Sequence, residues 1–203
     1  MSYLTAHPAA VLTALGEHLV LVGVALAIAL AIAFPIGVLA ARNARWGALA
    51  IGVANVVYTI PSLALLAVLV IALGIGPWSA IAALVLYAQL ALLRGIAGGL
   101  RGVDPALVDA ARGLGMTPLQ TLLRVELRAA LPVILAGVRV AAVTLVALAT
   151  VAGWIAAGGL GTLIFLGLSL HHSGPVIAGA LAAAALAIAL DALLRAAERL
   201  ARA

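Results

Sequence analysis

Seven of the chain's seventeen charged side chains crowd into residues 101–132, RGVDPALVDAARGLGMTPLQTLLRVELRAALP, which hold Arg101, Asp104, Asp109, Arg112, Arg124, Glu126 and Arg128. The spacing predicts two short helices joined by a glycine hinge. Asp104 is a good N-cap, and Pro105 follows at the first helical position, where its missing N–H costs nothing. Gly113 and Gly115 permit the left-handed backbone that stops a helix. Thr117-Pro118-Leu119-Gln120 offers a second start, a T-x-x-Q capping box with proline at N1. Ala106, Leu107, Ala110, Ala111 and Leu114 share one face at three- and four-residue spacing, and alanines with Gly115 let a second backbone come close. A hairpin this rich in charge cannot lie in hydrocarbon. Its chemistry is docking: it sits in water and touches something there.

Catalytic chemistry finds little support. His171 and His172 are adjacent, so on a regular helix they point about 100° apart and cannot chelate one ion as an i, i+4 pair would. They read better as polar residues of an external turn. No H-E-x-x-H or G-x-S-x-G occurs, and the chain has no cysteine, which excludes disulfides, thiolate metal sites and thiol nucleophiles. No catalytic or metal-ligating residue is expected.

The elements that must hold the polar hairpin are apolar throughout. The chain has 203 residues, 67% hydrophobic and 8% charged, where ordinary globular chains carry about 25% charge. That composition predicts an all-α, polytopic membrane protein forming a single domain. Its net charge of +5 does not point to nucleic acid, because the arginines are dispersed between apolar runs without stacking aromatics. Residues 1–18 lack a basic leader and the first apolar run is too long for one, so no cleavable signal peptide is expected. Five spans are predicted. The first covers residues 19–41, about 34 Å as helix against a hydrocarbon core of roughly 30 Å. The second, 47–73, is interrupted near its middle by Pro61, where a kink or break is expected. The third covers 78–100, the fourth 132–154 and the fifth 176–194, with residues 101–131 as the polar loop. Residues 158–170 open on glycines and are too short to cross, which predicts a re-entrant or interfacial segment.

The arginines orient these spans. Arg42 and Arg45, the six from Arg94 to Arg139, and Arg195, Arg199 and Arg202 all fall on one side or near its end of a span. The positive-inside rule then places the N-terminus outside, and the polar loop and C-terminus in the cytoplasm. Ion-coupled carriers need ionisable groups near the bilayer midplane. Here Asp191 and Arg195 form a local pair one turn apart, Arg94 and Arg139 can reach the interface by snorkelling, and no carboxylate is left at mid-depth. Energy must come from a partner. A secondary carrier or channel, the rival class, would instead follow an ion gradient.

Asp109-Ala110-Ala111, three residues, Gly115, nine residues, then Val125, Glu126 and Leu127 resemble the EAA loop of ABC-importer permeases, E-A-A-x3-G-x9-I-x-L-P. Asp stands for Glu at 109, Val for Ile at 125, and Arg128 replaces the proline, freeing the second helix to run on towards Pro132. Ile60-Pro61-Ser62-Leu63-Ala64-Leu65-Leu66, Gly74-Ile75-Gly76-Pro77 and Leu84-Val85-Leu86-Tyr87 are similar to the subgroup importing glycine betaine, carnitine, choline or proline. The glycine-rich 157–165 segment is more widely shared. Ala91 and Gly95 depart from the subgroup, standing where Pro and Asn are expected. The resemblance implies the five-span type I importer fold in a bacterial inner membrane. It also implies that Asp104, Asp109, Ala110, Ala111, Gly113 and Gly115 form a coupling helix docked on a cytoplasmic ATPase. ATP and magnesium would belong to that ATPase, leaving no cofactor in this chain. A second permease copy or paralogue, an external substrate-binding protein and lipid complete the implied partners. Methionine, phosphonate or sulfonate are the alternative cargoes. Since a quaternary ammonium favours aromatic faces, Tyr58 and Tyr87, with Pro61, Ser62 and Gln89 near the break, are the candidate pathway residues. Trp78 and Trp154 fit span ends better.

Overall fold

The computed structural model describes residue 3 and residues 6–201, so Arg202 lies outside the described residues. Every regular element among the described residues is helical. Helix α1 (Pro8–Arg42) begins with proline in its first turn and runs well ahead of the apolar stretch that announces it. It stops at Asn43, whose backbone is extended and whose Oδ1 accepts the Arg45 and Trp46 N–H groups at 3.0 and 3.2 Å. That one side chain therefore caps α2 (Ala44–Thr59).

The second apolar run is broken rather than kinked. Helix α2 and helix α3 (Ser62–Leu73) meet at 98° across Ile60 and Pro61. Proline pushes the residue before it out of helical geometry, and Ile60 takes φ −67° and ψ 129°. The carbonyl that this exposes needs a donor, and the Tyr87 hydroxyl supplies it. Gly74 and Gly76, at φ +85° and +130°, turn the chain into α4 (Pro77–Arg101).

Helix α4 is the hub: 78% of its most apolar stretch is buried, against 28% for α1, 33% for the helical run Pro118–Ile155 and 17% for Ser173–Leu200. It is packed by α1 on one flank and by α7 (Leu127–Ala152) on another. Between them come α5 (Pro105–Gly113), α6 (Pro118–Thr121) and a π-helical turn, Leu122–Glu126, that runs without a break into α7. The hairpin thus has one short helix, not two. With Arg128 in place of proline the second element continues as α6, π turn and α7, straight through Pro132. A 3₁₀ turn (Gly153–Ile155) and a glycine corner lead to α8 (Leu160–Ser169), and α9 (Ser173–Leu200) closes the chain. Among the described residues, four helical segments are long and apolar enough to cross a membrane, and the bent α2–α3 pair, counted as one, makes five.

Small residues set the spacing, as expected where lipid removes any hydrophobic drive between helices. Ala25, Ala29 and Ala33 give α1 a fully buried stripe at four-residue spacing. Where α4 crosses α7, a Cβ on Gly95 would lie 2.9 Å from the Gly137 Cα. That contact explains the glycine at 95: no larger side chain fits a crossing this close. Outside, Ile71, Leu193 and Ile188 are largely exposed, as a lipid-facing surface would be.

One expectation about charge changes here and one holds. Arg139 does not merely reach for the interface, because its guanidinium faces Asp191 at 3.2 Å and Glu198 at 3.6 Å, tying α7 to α9. The Asp191–Arg195 pair is present as expected, at 2.7 Å.

Candidate functional site

Two assemblies of functional side chains emerge, one at the polar hairpin and one at the broken second run. In the hairpin, Asp104 accepts the Ala106 N–H at 2.9 Å and Pro105 holds N1. Helix α5 ends in a Schellman motif. The Met116 N–H reaches the Ala111 carbonyl at 3.1 Å and the Gly115 N–H that of Arg112 at 2.9 Å, with Gly115 at φ +78°. Gly115 is therefore the left-handed stop, whereas Gly113 remains inside the helix with no such conformation. The Thr117–Gln120 capping box forms with both of its bonds, at 2.9 and 3.3 Å.

The apolar face of α5 splits in two. Ala111 is buried against the body of the protein, while Leu107, Ala110 and Leu114 are exposed, Leu114 to 79%. Asp109 and Arg112 make a loose exposed pair at 3.5 Å. The exposed strip is apolar, small at its centre and flanked by charge, which suits docking and offers no reactive group.

One anchor of this hairpin is not apparent from spacing. The buried carboxylate of Glu126 accepts a bond from Arg42 at the end of α1. The π turn inserts one residue per turn and so re-aims the helix, which brings Glu126 round to that arginine. Sequence reasoning takes Arg42 only as the end of a span.

At the break, Tyr58 and Tyr87 meet edge to face with ring centroids 6.0 Å apart and planes at 75°. Both line a cavity of about 450 Å³ between α4 and α7, whose floor is the Gly95–Gly137 crossing and whose wall includes Thr144. Arg94 also lines it, donating to Asn55 Oδ1 at 2.9 Å. Pro61 makes the break, and Ser62 lies on the other flank of Tyr87, beside a void of about 10 Å³. Gln89 is turned away: its Nε2 donates to the Ala29 carbonyl at 3.3 Å and to that of Val85 at 3.1 Å, facing α1. Tyr58 and Tyr87 are brought together, then, and Gln89 is not. Arg94, Asn55, Gly137 and Thr144 are additions that spacing did not single out. The i, i+7 relation of Tyr87 and Arg94 on one helix face was the readable signal.

A third cluster was invisible in the sequence. His18 is fully buried on α1. Its Nδ1 accepts the Leu160 N–H at 3.3 Å, so Nε2 carries the proton and donates to the Val146 carbonyl at 3.1 Å. Neighbouring Glu17 accepts the Gly159 N–H at 2.8 Å. Two amides at the start of α8 are satisfied by one turn of α1. Among the described residues, no three His, Cys, Asp or Glu side chains gather as a metal site requires.

Comparison with known proteins places this geometry. Residues 33–203 match the family described as binding-protein-dependent transport system inner membrane component. The choline transport system permease protein OpuBB of Bacillus subtilis (strain 168) is 40% identical over 183 residues, covering 90% of this chain and 84% of the relative. The glycine betaine/carnitine/choline transport system permease protein OpuCB of the same organism is 38% identical over 199 residues, covering 98% and 92%. Among solved structures, the inward-facing MetNI methionine ABC transporter superposes with a TM-score of 0.84 at 22% identity, covering 95% of this chain and 96% of that one. That last likeness is one of fold, the type I importer permease. Such proteins are multi-pass membrane permeases, not enzymes. The chain belongs to the family of inner-membrane components of binding-protein-dependent transport systems.

Proposed function

We propose that this chain is the membrane-spanning subunit of an ATP-driven importer for osmoprotectants of the glycine betaine, carnitine and choline type. The observation that carries the reading is the identity of 38–40% to permeases with those cargoes in their names, sustained over nine-tenths or more of this chain. The single domain presents five spans, with the N-terminus outside and the hairpin and C-terminus in the cytoplasm. Two permeases, identical or paralogous, enclose a path entered from an external binding protein. The exposed strip Leu107–Ala110–Leu114 docks on a cytoplasmic ATPase. ATP draws two such ATPases together, and the docked helices carry that motion into the spans, shifting the path between inward- and outward-facing states.

Local geometry supports a lever. Helix α5 is fixed at its start by Asp104 and at its end by the Gly115 stop, and the following helix is pinned to α1 through Glu126 and Arg42. A push on α5 is therefore transmitted and not absorbed.

The test is uptake of labelled glycine betaine by the complex in proteoliposomes. Gly115→Val forces a β-branched residue into φ +78°, and Asp109→Arg reverses charge on the docking face. Both variants should insert in the membrane normally and lose transport-coupled ATP hydrolysis. Wild-type coupling in both would overturn the reading.

A further inference from the structure

The cargoes proposed above differ in one chemical respect, and the inference that follows rests on that proposal. Choline ends in a neutral hydroxyl, whereas glycine betaine and carnitine carry a carboxylate as well as the quaternary cation. The cavity between α4 and α7 is polarised in the matching sense. It is aromatic and apolar at Tyr58 and Tyr87, and cationic at Arg94. Residues 87 and 94 lie two turns apart on one face of α4, about 10 Å along its axis. Helical side chains lean towards the N-terminus of their helix, which carries the Arg94 guanidinium back towards Tyr87.

Arg94 is also electrically incomplete. Arg42, Arg112, Arg139 and Arg195 each face a carboxylate. Among the described residues Arg94 has no such partner, a condition it shares with Arg45, Arg101, Arg124 and Arg128, but of these it alone lines the cavity, and its bond goes to the neutral amide of Asn55. A guanidinium presents five donors in a fork that matches a carboxylate, and Arg94, exposed in this chain, opens onto a cavity whose other lining is mostly apolar. The same charge repels a bare cation. The aromatic pair, for its part, offers ring faces that attract a quaternary ammonium without having to be desolvated as a carboxylate would.

We propose that Arg94 is a specificity-determining residue of the passage, holding the carboxylate of a zwitterionic quaternary ammonium whose cationic end rests against the Tyr58–Tyr87 pair, and disfavouring cations without a carboxylate.

The test is paired uptake of labelled glycine betaine and labelled choline by the full complex of permease, ATPase and binding protein in proteoliposomes. The same binding protein delivers both solutes, so comparing their uptake ratio across variants cancels differences in delivery. Arg94→Gln is expected to lower the betaine-to-choline ratio about tenfold, the value of one charge-assisted bond, and Arg94→Lys to restore most of it. Asn55→Asp, which supplies an internal counter-ion and leaves the arginine in place, should lower the ratio in the same direction. Equal loss of both solutes in Arg94→Gln, as a merely structural arginine would give, overturns the proposal. So does a wild type that carries both solutes with a ratio unmoved by any of the three variants. A wild type that hydrolyses ATP when the binding protein docks but carries neither solute overturns the osmoprotectant reading, and this inference falls with it.

Discussion

Gly95 shows how far a single residue can be read in advance. In the sequence it is a departure from a family pattern. In the structure it is half of a backbone contact, with its missing Cβ 2.9 Å from the Gly137 Cα. Nothing local identifies such a glycine, because its partner lies 42 positions away in the sequence. Gly95→Leu should therefore wedge α4 from α7. Overpacking of this kind costs about 1–3 kcal/mol, so the thermal unfolding midpoint in detergent should fall by several degrees. Gly98→Leu is the control, since nothing lies within 4 Å of its added Cβ. A midpoint equal for the two variants would show that the crossing is looser than drawn. His18 teaches the same lesson from the polar side. A lone histidine among apolar residues carries no signal of the two bonds that fix its tautomer, since both partners arrive from beyond residue 140.

At the scale of elements, what was legible is what local backbone chemistry decides. Asp104–Pro105, the T-x-x-Q box and Gly115 each act within four residues, and all three are found where spacing predicts them. The break at Pro61 was legible too, but its 98° angle and the π turn were not, because both answer to distant partners: Tyr87 for the Ile60 carbonyl, and Arg42 for Glu126. The Arg42–Glu126 pair can be tested for its asymmetry. Glu126 is almost wholly buried, while about half of the Arg42 side chain is exposed. Arg42→Ala leaves a buried carboxylate without its cation, and removing one partner of a buried pair costs about 3–5 kcal/mol, less here because one partner meets water. Adding Glu126→Leu removes the stranded charge and should recover most of the loss. The measurement is a double-mutant cycle on unfolding in detergent. Strict additivity of the two changes would mean that the pair does not hold the hairpin to α1.

The whole molecule is organised by where charge is permitted. Arginines cluster at one end of the spans and the opposite turns have none, so the sidedness proposed above rests on the distribution of charge along the sequence. The way the helices close around α4 does not, because alanine and glycine stripes have no preferred direction until a partner exists. Sidedness is directly testable, since a chain with no cysteine is a clean background for single-cysteine labelling. Ile75, 75% exposed in the turn before α4, and Gly102, exposed just after it, lie at opposite ends of one 25-residue helix. That helix spans about 37 Å, more than a hydrocarbon core of roughly 30 Å. In intact cells a membrane-impermeant maleimide should modify Ile75→Cys and spare Gly102→Cys, and permeabilisation should expose both. The reverse pattern would put the hairpin outside, away from any nucleotide. The exposed Leu107–Ala110–Leu114 strip would then need a partner of another kind, and the energy argument would fail with it: with no carboxylate at mid-depth, an ATPase on that side is what remains to drive uptake.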